Sequence, residues 1–226
     1  VDDFESDLGW QTNPQGTDQA TTGQWERANP QPTNSNGPKQ LDATTSGSNA
    51  LVTAAAAGTS VGTNDIDNGV TSTWSPLISL PPGTSLGLTF DYYLAHTTNS
   101  STADFLRVSV LGNTTQVVLE ELGAPDNDNG AWQQATIDLS AFAGQDIRLL
   151  IEAADAGGGA GRWPLPPRPA GGGHGAWPAS EGEWQAVAEG AAAATRPWRR
   201  GSNASEKTIG VQGARARRGR RTHCVD

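Results

Sequence analysis

The chain has one cysteine, Cys224, near its C-terminus, so no internal disulfide can staple it. It has no methionine and three histidines. Only His96 falls within residues 1–155, a stretch that has no cysteine. A zinc centre needs three or four His, Cys or carboxylate ligands, and a Ser–His or Cys–His pair needs a base beside its nucleophile. A lone His96 closing the run Tyr92-Tyr-Leu-Ala-His meets neither demand, and it reads as a surface or internally satisfied residue. No apolar run approaches the roughly 20 residues of a membrane helix. No charged segment leads into an apolar one, so no signal peptide is read. The missing initiator methionine gives the expectation of a piece cut from a longer precursor. Lysine is scarce. Residues 1–155 carry 19 acidic and 4 basic side chains, a net of −15, whereas 156–226 carry 5 and 11, a net of +6. Such an acidic body repels phosphate backbones and anionic lipid, so neither nucleic acid nor membrane is expected as its partner.

What the chain does have is period-two alternation. Leu86, Leu88, Phe90, Tyr92 and Leu94 recur at every second position, with Gly87, Thr89, Asp91 and Tyr93 between them. Only a strand places such residues on one face. Further runs follow at Phe105–Leu111, Gln116–Glu120, Trp132–Leu139 and Asp146–Glu152, separated by Gly, Asn, Asp and Pro. Repeated short strands with such turns indicate an all-β sandwich or barrel. Upstream, a short strand is expected in the acidic opening Val1–Trp10, another around Gln24–Arg27, and another within Asn49–Ala57. Val70–Ser79 reads as an edge or bulged strand because of Pro76.

The pattern stops at Gly157. Beyond it Ala, Gly, Pro, Arg and Trp dominate, ending in Arg215-Ala-Arg-Arg-Gly-Arg-Arg221. This composition buries too little apolar area to offset its ordering entropy. Residues 1–155 are therefore read as one all-β body. Residues 156–226 are read as an irregular tail outside the core, with at most a short helix at 183–194. Two origins stand for it: a flexible basic segment, or translation from a shifted frame of GC-rich DNA. The abrupt break after a regular strand favours the second.

Several runs carry a resemblance when taken in order. They are Asp2-Asp-Phe-Glu-Ser with Leu8-Gly-Trp10, Gly23-Gln-Trp-Glu-Arg27 and Ser46-Gly-Ser-Asn-Ala-Leu-Val52. They continue through Asn64-Asp-Ile-Asp-Asn-Gly-Val-Thr-Ser72, Ser75-Pro76, Phe90-Asp-Tyr-Tyr-Leu94, Trp132–Leu139 and Phe142–Ala153. Together they resemble the C-terminal accessory jelly-roll domains of secreted bacterial peptidases, notably zinc carboxypeptidases. Those domains are similar in fold to carbohydrate-binding modules and MAM-type domains. The resemblance implies an antiparallel jelly-roll β-sandwich without catalysis, secreted, and often holding a structural calcium ion. It also implies a catalytic peptidase domain in the parent chain as partner, with polysaccharide or protein substrate as the ligand. Members normally close with one more strand bearing an acidic pair, and no such run follows Ala154.

Oxygen-rich clusters are where a hard cation would sit, since calcium takes six to eight oxygen ligands. Asp2, Asp3 and Glu5 form one such cluster, and Asp65 and Asp67 lie in another. For the second, turn chemistry and calcium ligation both stand. Asp126–Asn129 reads as a turn. For a ligand, Tyr93 points away from the apolar face of its strand, beside Asp91, and these two with Trp25 are the chosen candidates. Trp10, Trp74 and Trp132 are further aromatic candidates, and Trp132, which starts a strand after a turn, reads as a core plug. Glu120 and Glu121 alternate across a strand, so they cannot act together on one substrate. Asn99, Asn113 and Asn203 fit glycosylation acceptors. The alternatives to a binding or stabilising module are a metal-assisted hydrolase and a purely structural domain.

Overall fold

A computed structural model describes residues 1–83 and 85–156, and the backbone of 184–194. The strands are β1 (Gln11–Thr12), β2 (Trp25–Ala28), β3 (Thr33–Asn34), β4 (Pro38–Gln40), β5 (Ala50–Thr53), β6 (Gly69–Trp74) and β7 (Ile78–Ser79). They continue with β8 (Gly87–His96), β9 (Phe105–Leu111), β10 (Thr115–Leu122), β11 (Gln133–Asp138), β12 (Asp146–Asp155) and β13 (Trp184–Ala194). One sheet runs β1-β6-β12-β9-β10, with β7 added to β12. The other runs β11-β8-β13-β5-β2, and β3 with β4 makes a separate hairpin. All of these pairings are antiparallel. The all-β expectation holds.

The two sheets face each other because each offers one apolar face. Leu88, Phe90, Tyr92 and Leu94 of β8 enter one core cluster with Leu106, Val108 and Val110 of β9 and Ile147, Leu149, Ile151 and Ala153 of β12. Odd and even positions divide as the alternation requires. Trp25 pins one side of the sandwich. Its backbone N–H donates to Thr71 Oγ1 at 3.3 Å and its indole Nε1 to the Thr71 carbonyl at 3.2 Å. Thr12 Oγ1 donates to the Trp25 carbonyl at 2.8 Å, so β1, β2 and β6 are joined across the two sheets.

Three elements differ from the sequence reading. Residues 1–10 form no strand. Asp2 Oδ1 accepts the Phe4 N–H at 2.9 Å and Asp3 Oδ1 accepts that of Glu5 at 3.1 Å. Such aspartate turns compete with strand pairing. Phe4 has φ 57°, yet its ring is fully buried. The run around Pro76 divides: β6 ends at Trp74, and β7 pairs separately with Asp146 and Ile147 of β12.

The third difference is β13. The expectation that everything after residue 156 lies outside the body, with at most a helix near 183–194, is corrected for the backbone of 184–194. That backbone pairs with β8 from Trp184↔His96 to Ala194↔Gly87, and with β5 at Val187↔Val52 and Ala188↔Leu51. It fills the gap between β5 and β8, whose N–H and C=O groups need partners where they are buried. Asn203, Cys224 and the Arg215–Arg221 run lie outside the described residues. Limited proteolysis of the full chain checks the pairing: bonds within 184–194 are expected to resist cleavage as long as those of β8. Release of that segment ahead of body unfolding would remove β13 from the sheet.

Candidate functional site

The residues singled out for ligand contact follow the geometry of β8. Tyr93 does point away from Tyr92, as alternation requires. That second face is not open to a ligand, however, because Tyr93 is fully buried in a satellite cluster with Ala50, Val52, Ala55 and Ala95. Leu41 and Trp132 pack over it. The Trp132 ring meets Tyr93 edge-on at 4.8 Å, and its Nε1 donates to the Ala43 carbonyl at 2.8 Å. The Leu41 N–H donates to Tyr93 Oη at 3.1 Å. Trp132 is thus the plug the sequence indicated, and Tyr93 is corrected from ligand contact to the anchor of a roof. Trp25 is corrected likewise, since it is 2% exposed and its indole is spent on Thr71. Asp91 stays half-buried, accepting from Gln134 Nε2 at 3.0 Å.

The roof has a second tether. Lys39 is 2% exposed, and its Nζ donates to Asn127 Oδ1 at 3.1 Å, the Asp128 carbonyl at 2.7 Å and Asn129 Oδ1 at 2.9 Å. The Asp126–Asn129 turn therefore wraps an ammonium group. His96 is buried beside it, with Nδ1 3.2 Å from the Asp126 carbonyl.

The candidate metal ligands are held apart by their own hydrogen bonds. Glu5 Oε1 accepts the N–H groups of Ser48 and Asn49, each at 2.7 Å. The Asn49 and Ser48 N–H groups hold the Glu5 carboxyl below the usual carboxylate range. Gly47, at φ 65°, leaves the space this carboxylate fills, and a Cβ there would collide with it. Asp2 Oδ2 takes the indole N–H of Trp10 at 2.6 Å. Asp67 Oδ2 accepts from Thr22 Oγ1 at 3.1 Å, and the same hydroxyl lies 2.7 Å from the Asp65 carbonyl. Among the described residues no three His, Cys, Asp or Glu side chains gather where one ion would touch all of them. The five carboxylates Asp2, Asp3, Glu5, Asp65 and Asp67 are therefore not brought together as one ligand set.

The sheet face opposite the core on β6, β12, β9 and β10 joins Trp74 and Glu120 to Arg107, Arg148 and Glu152, which the sequence reading passed over. Register puts Gln11, Trp74, Leu150, Ser109 and Val117 in one cross-strand row. The next row on this face is Ser72, Glu152, Arg107 and Glu120, followed by Val70, Ala154, Phe105 and Leu122. Arg148 stacks over Trp74, 5.0 Å from the ring centroid, and Gln11 Oε1 accepts the Trp74 indole N–H at 2.7 Å. Arg107 Nη2 and Nε lie 2.7 and 2.8 Å from Glu120 Oε1, and Nη1 lies 3.8 Å from Glu152. Asp18 reaches over from the loop after β1 and accepts both the N–H and the hydroxyl of Ser72, at 2.6 and 2.5 Å. Burial pushes the Glu152 carboxyl up, Arg107 opposes this, and Asp18 adds to it. Alternation along β9 and β12 would have exposed this grouping. Its members come from strands far apart in sequence, so only the pairing register assembles them.

No protein-family model matches the chain, and no curated protein matches it. Among solved structures it is similar to the K3 cleaved adhesin domain of Lys-gingipain from Porphyromonas gingivalis W83, at 17% identity and TM-score 0.46, covering 84% of this chain and 95% of that one. The K1 cleaved adhesin domain of the same protein is 17% identical with TM-score 0.43, over 84% and 93%. TmCBM61 in complex with β-1,4-galactotriose is 7% identical with TM-score 0.42, over 83% and 89%.

The Glu5 latch gives a pH-dependent expectation. Its folded-state pKa is depressed, so its stabilisation is present above the unfolded value of 4.5 and is lost as pH falls through the folded value. Glu5→Gln is expected to lower the melting midpoint at pH 7, and the gap to wild type is expected to close on acidification below the folded value. A gap that persists unchanged in acid would show that charge is not what holds the loop.

Proposed function

We propose that this chain is a non-catalytic accessory module of a secreted bacterial peptidase, and that it binds an extended polysaccharide or protein on the outer face of the six-stranded sheet. The observation that carries this reading is the difference between the two outer faces. On the five-stranded sheet the outer face of β8 and β5 is roofed at Tyr93 by Leu41 and Trp132. The outer face of the six-stranded sheet presents Trp74, Arg148, Arg107, Glu152 and Glu120, all partly or fully exposed. An aromatic ring among fixed donors and acceptors gives a ligand both contact area and orientation. The order of sequence runs that resembles peptidase accessory jelly-rolls supports the parentage and the extracellular setting. The described residues contain no helix long and apolar enough to cross a membrane.

A hydrolytic reading is less favoured, because the carboxylates offered for it already serve as hydrogen-bond partners of the fold. Glu121, for one, accepts the Tyr92 hydroxyl at 2.7 Å, on the opposite face from Glu120. Calcium asks most of the geometry: Glu5, Asp2 and Asp67 would have to exchange their present partners for the ion. A melt in calcium and in chelator decides this. A midpoint raised by calcium in wild type but not in Asp67→Ala or Glu5→Ala supports a site there, and equal midpoints remove it.

The binding reading is tested by a glycan array and by pull-down of the full chain on insoluble polysaccharides and protein fibres. Retention on at least one is expected, with no hydrolysis of peptides or glycosides. Absence of retention on every matrix would leave a purely structural domain. Hydrolysis that disappears in Asp65→Ala or Asp67→Ala would make the chain an enzyme.

A further inference from the structure

Strand β10 ends the six-stranded sheet, and among the described residues no strand pairs with its outer edge. It is eight residues long, where the other end strands β1, β2 and β11 have two, four and six. Its outward N–H and C=O groups are a template for another strand, and it carries neither the Lys nor the Pro that commonly guards such an edge. What it does carry is a bulge, which sets what can fit. Register with β9 gives the direction of each side chain. Thr115, Val117, Glu120 and Leu122 lie opposite Leu111, Ser109, Arg107 and Phe105 on the outer face. Gln116, Leu119 and Glu121 lie opposite Val110, Val108 and Leu106 of the core. Val118, the extra residue of the bulge, packs against that core with Leu119. Outer positions 115 and 117 therefore mirror 122 and 120 about the midpoint of the strand, and core-side 116 mirrors 121.

We propose that β10 is the contact strand of a symmetric dimer, in which β10 of a second copy runs antiparallel to it and joins the two six-stranded sheets into one. The proposal goes beyond the binding reading and does not depend on it. A two-fold axis between residues 118 and 119 sets Thr115 against Leu122 of the second copy, Gln116 against Glu121, Val117 against Glu120, and Val118 against Leu119. Every pair then joins side chains of one face, as an antiparallel ladder requires. A uniformly alternating strand pairs with itself in several registers, but with the bulge this is the one that uses all eight residues with faces matched. No like charges stand directly opposite. Gln116 brings an amide N–H to Glu121, which has acceptor capacity beyond the Tyr92 hydroxyl. Val117 lies diagonally to Leu122 of the second copy. These two are 50% and 49% exposed in the single chain, two of the five large apolar side chains left exposed among the described residues. Glu120 meets its symmetry mate only diagonally, and Arg107 of its own copy already pairs with it at 2.7 Å. The net charge of −9 on each chain opposes the contact, a repulsion that salt screens.

Sedimentation velocity of the full chain over a range of concentrations tests this, with a thiol reductant present so that Cys224 forms no cross-link. A reversible monomer–dimer equilibrium is expected, with the dimer fraction rising from low to high salt. Val117→Glu sets a carboxylate opposite Glu120 in both symmetric pairs and is expected to abolish the dimer. Val117→Lys removes the same apolar contact but places an ammonium there, and it is expected to keep the dimer at low salt. Gln133→Glu and Gln133→Lys, at an exposed position on β11, change the net charge equally and are expected to move the equilibrium far less than the Val117 pair. Hydrogen exchange on wild type needs no variant: the amides of β10 are expected to gain protection as the dimer fills. A chain that stays monomeric at every concentration and salt would overturn the proposal. So would a dimer that the two Val117 variants affect alike, one that responds to the Gln133 variants instead, or one that forms with β10 protection unchanged.

Discussion

The second half of strand β8, Tyr92–His96, is buried on both sides, and the rest of the molecule is arranged around that constraint. Its even positions fill the space between the sheets, and its odd positions Tyr93 and Ala95 fill a second cluster outside them. Two buried faces need two covers. The six-stranded sheet provides one, and the segment carrying Lys39 and Leu41 provides the other with Trp132. Burying a tyrosine requires a partner for its hydroxyl, and the Leu41 N–H supplies it. The roof is then tied down at its far side by the Lys39 ammonium, whose burial is tolerable because three oxygens of the 127–129 turn receive its protons.

The acidic character of the body has a related logic. Carboxylates here act mainly as acceptors for backbone N–H groups that no strand ladder satisfies. Asp2, Asp3, Asp7 and Asp138 each take an N–H two residues on. Glu5 and Glu26 do so across the fold, on Ser48, Asn49 and Ala55. Asp104 collects the N–H groups of Ser101 and Ala156 at 2.6 Å each, while burial pushes its carboxyl up. A loop-rich sandwich with short strands needs many such acceptors, and oxygen clusters suited to a cation in the sequence become turn scaffolding in the fold.

The six-stranded sheet carries its charged and aromatic side chains in register, so that ion pairs and stacking form along rows rather than along strands. Arg107 is the centre of this arrangement, stacked 4.2 Å from the centroid of Phe105 while reaching both Glu120 and Glu152. A guanidinium fixed against one ring and along its edges is preorganised, which lowers the ordering cost of any contact made beside it.

Alternation in the sequence determined the class of fold, the strands β8, β9, β11 and β12, and the core side of each, because side-chain direction in a strand depends only on parity. It also determined that Glu120 and Glu121 part company and that Tyr93 leaves the core face of its strand. Parity says nothing about what lies beyond a face. Tyr93 and Trp25 read as exposed aromatics until the roof and the Thr71 contacts buried them. Trp74, Arg148, Arg107 and Glu152 looked unrelated, being tens of residues apart, until pairing register set them on one surface. The alanine-rich backbone of 184–194 shows no periodicity, so its place between β5 and β8 was decided by the unfilled hydrogen bonds of those two strands. Local sequence sets which way a side chain points, and only the tertiary structure sets what meets it there.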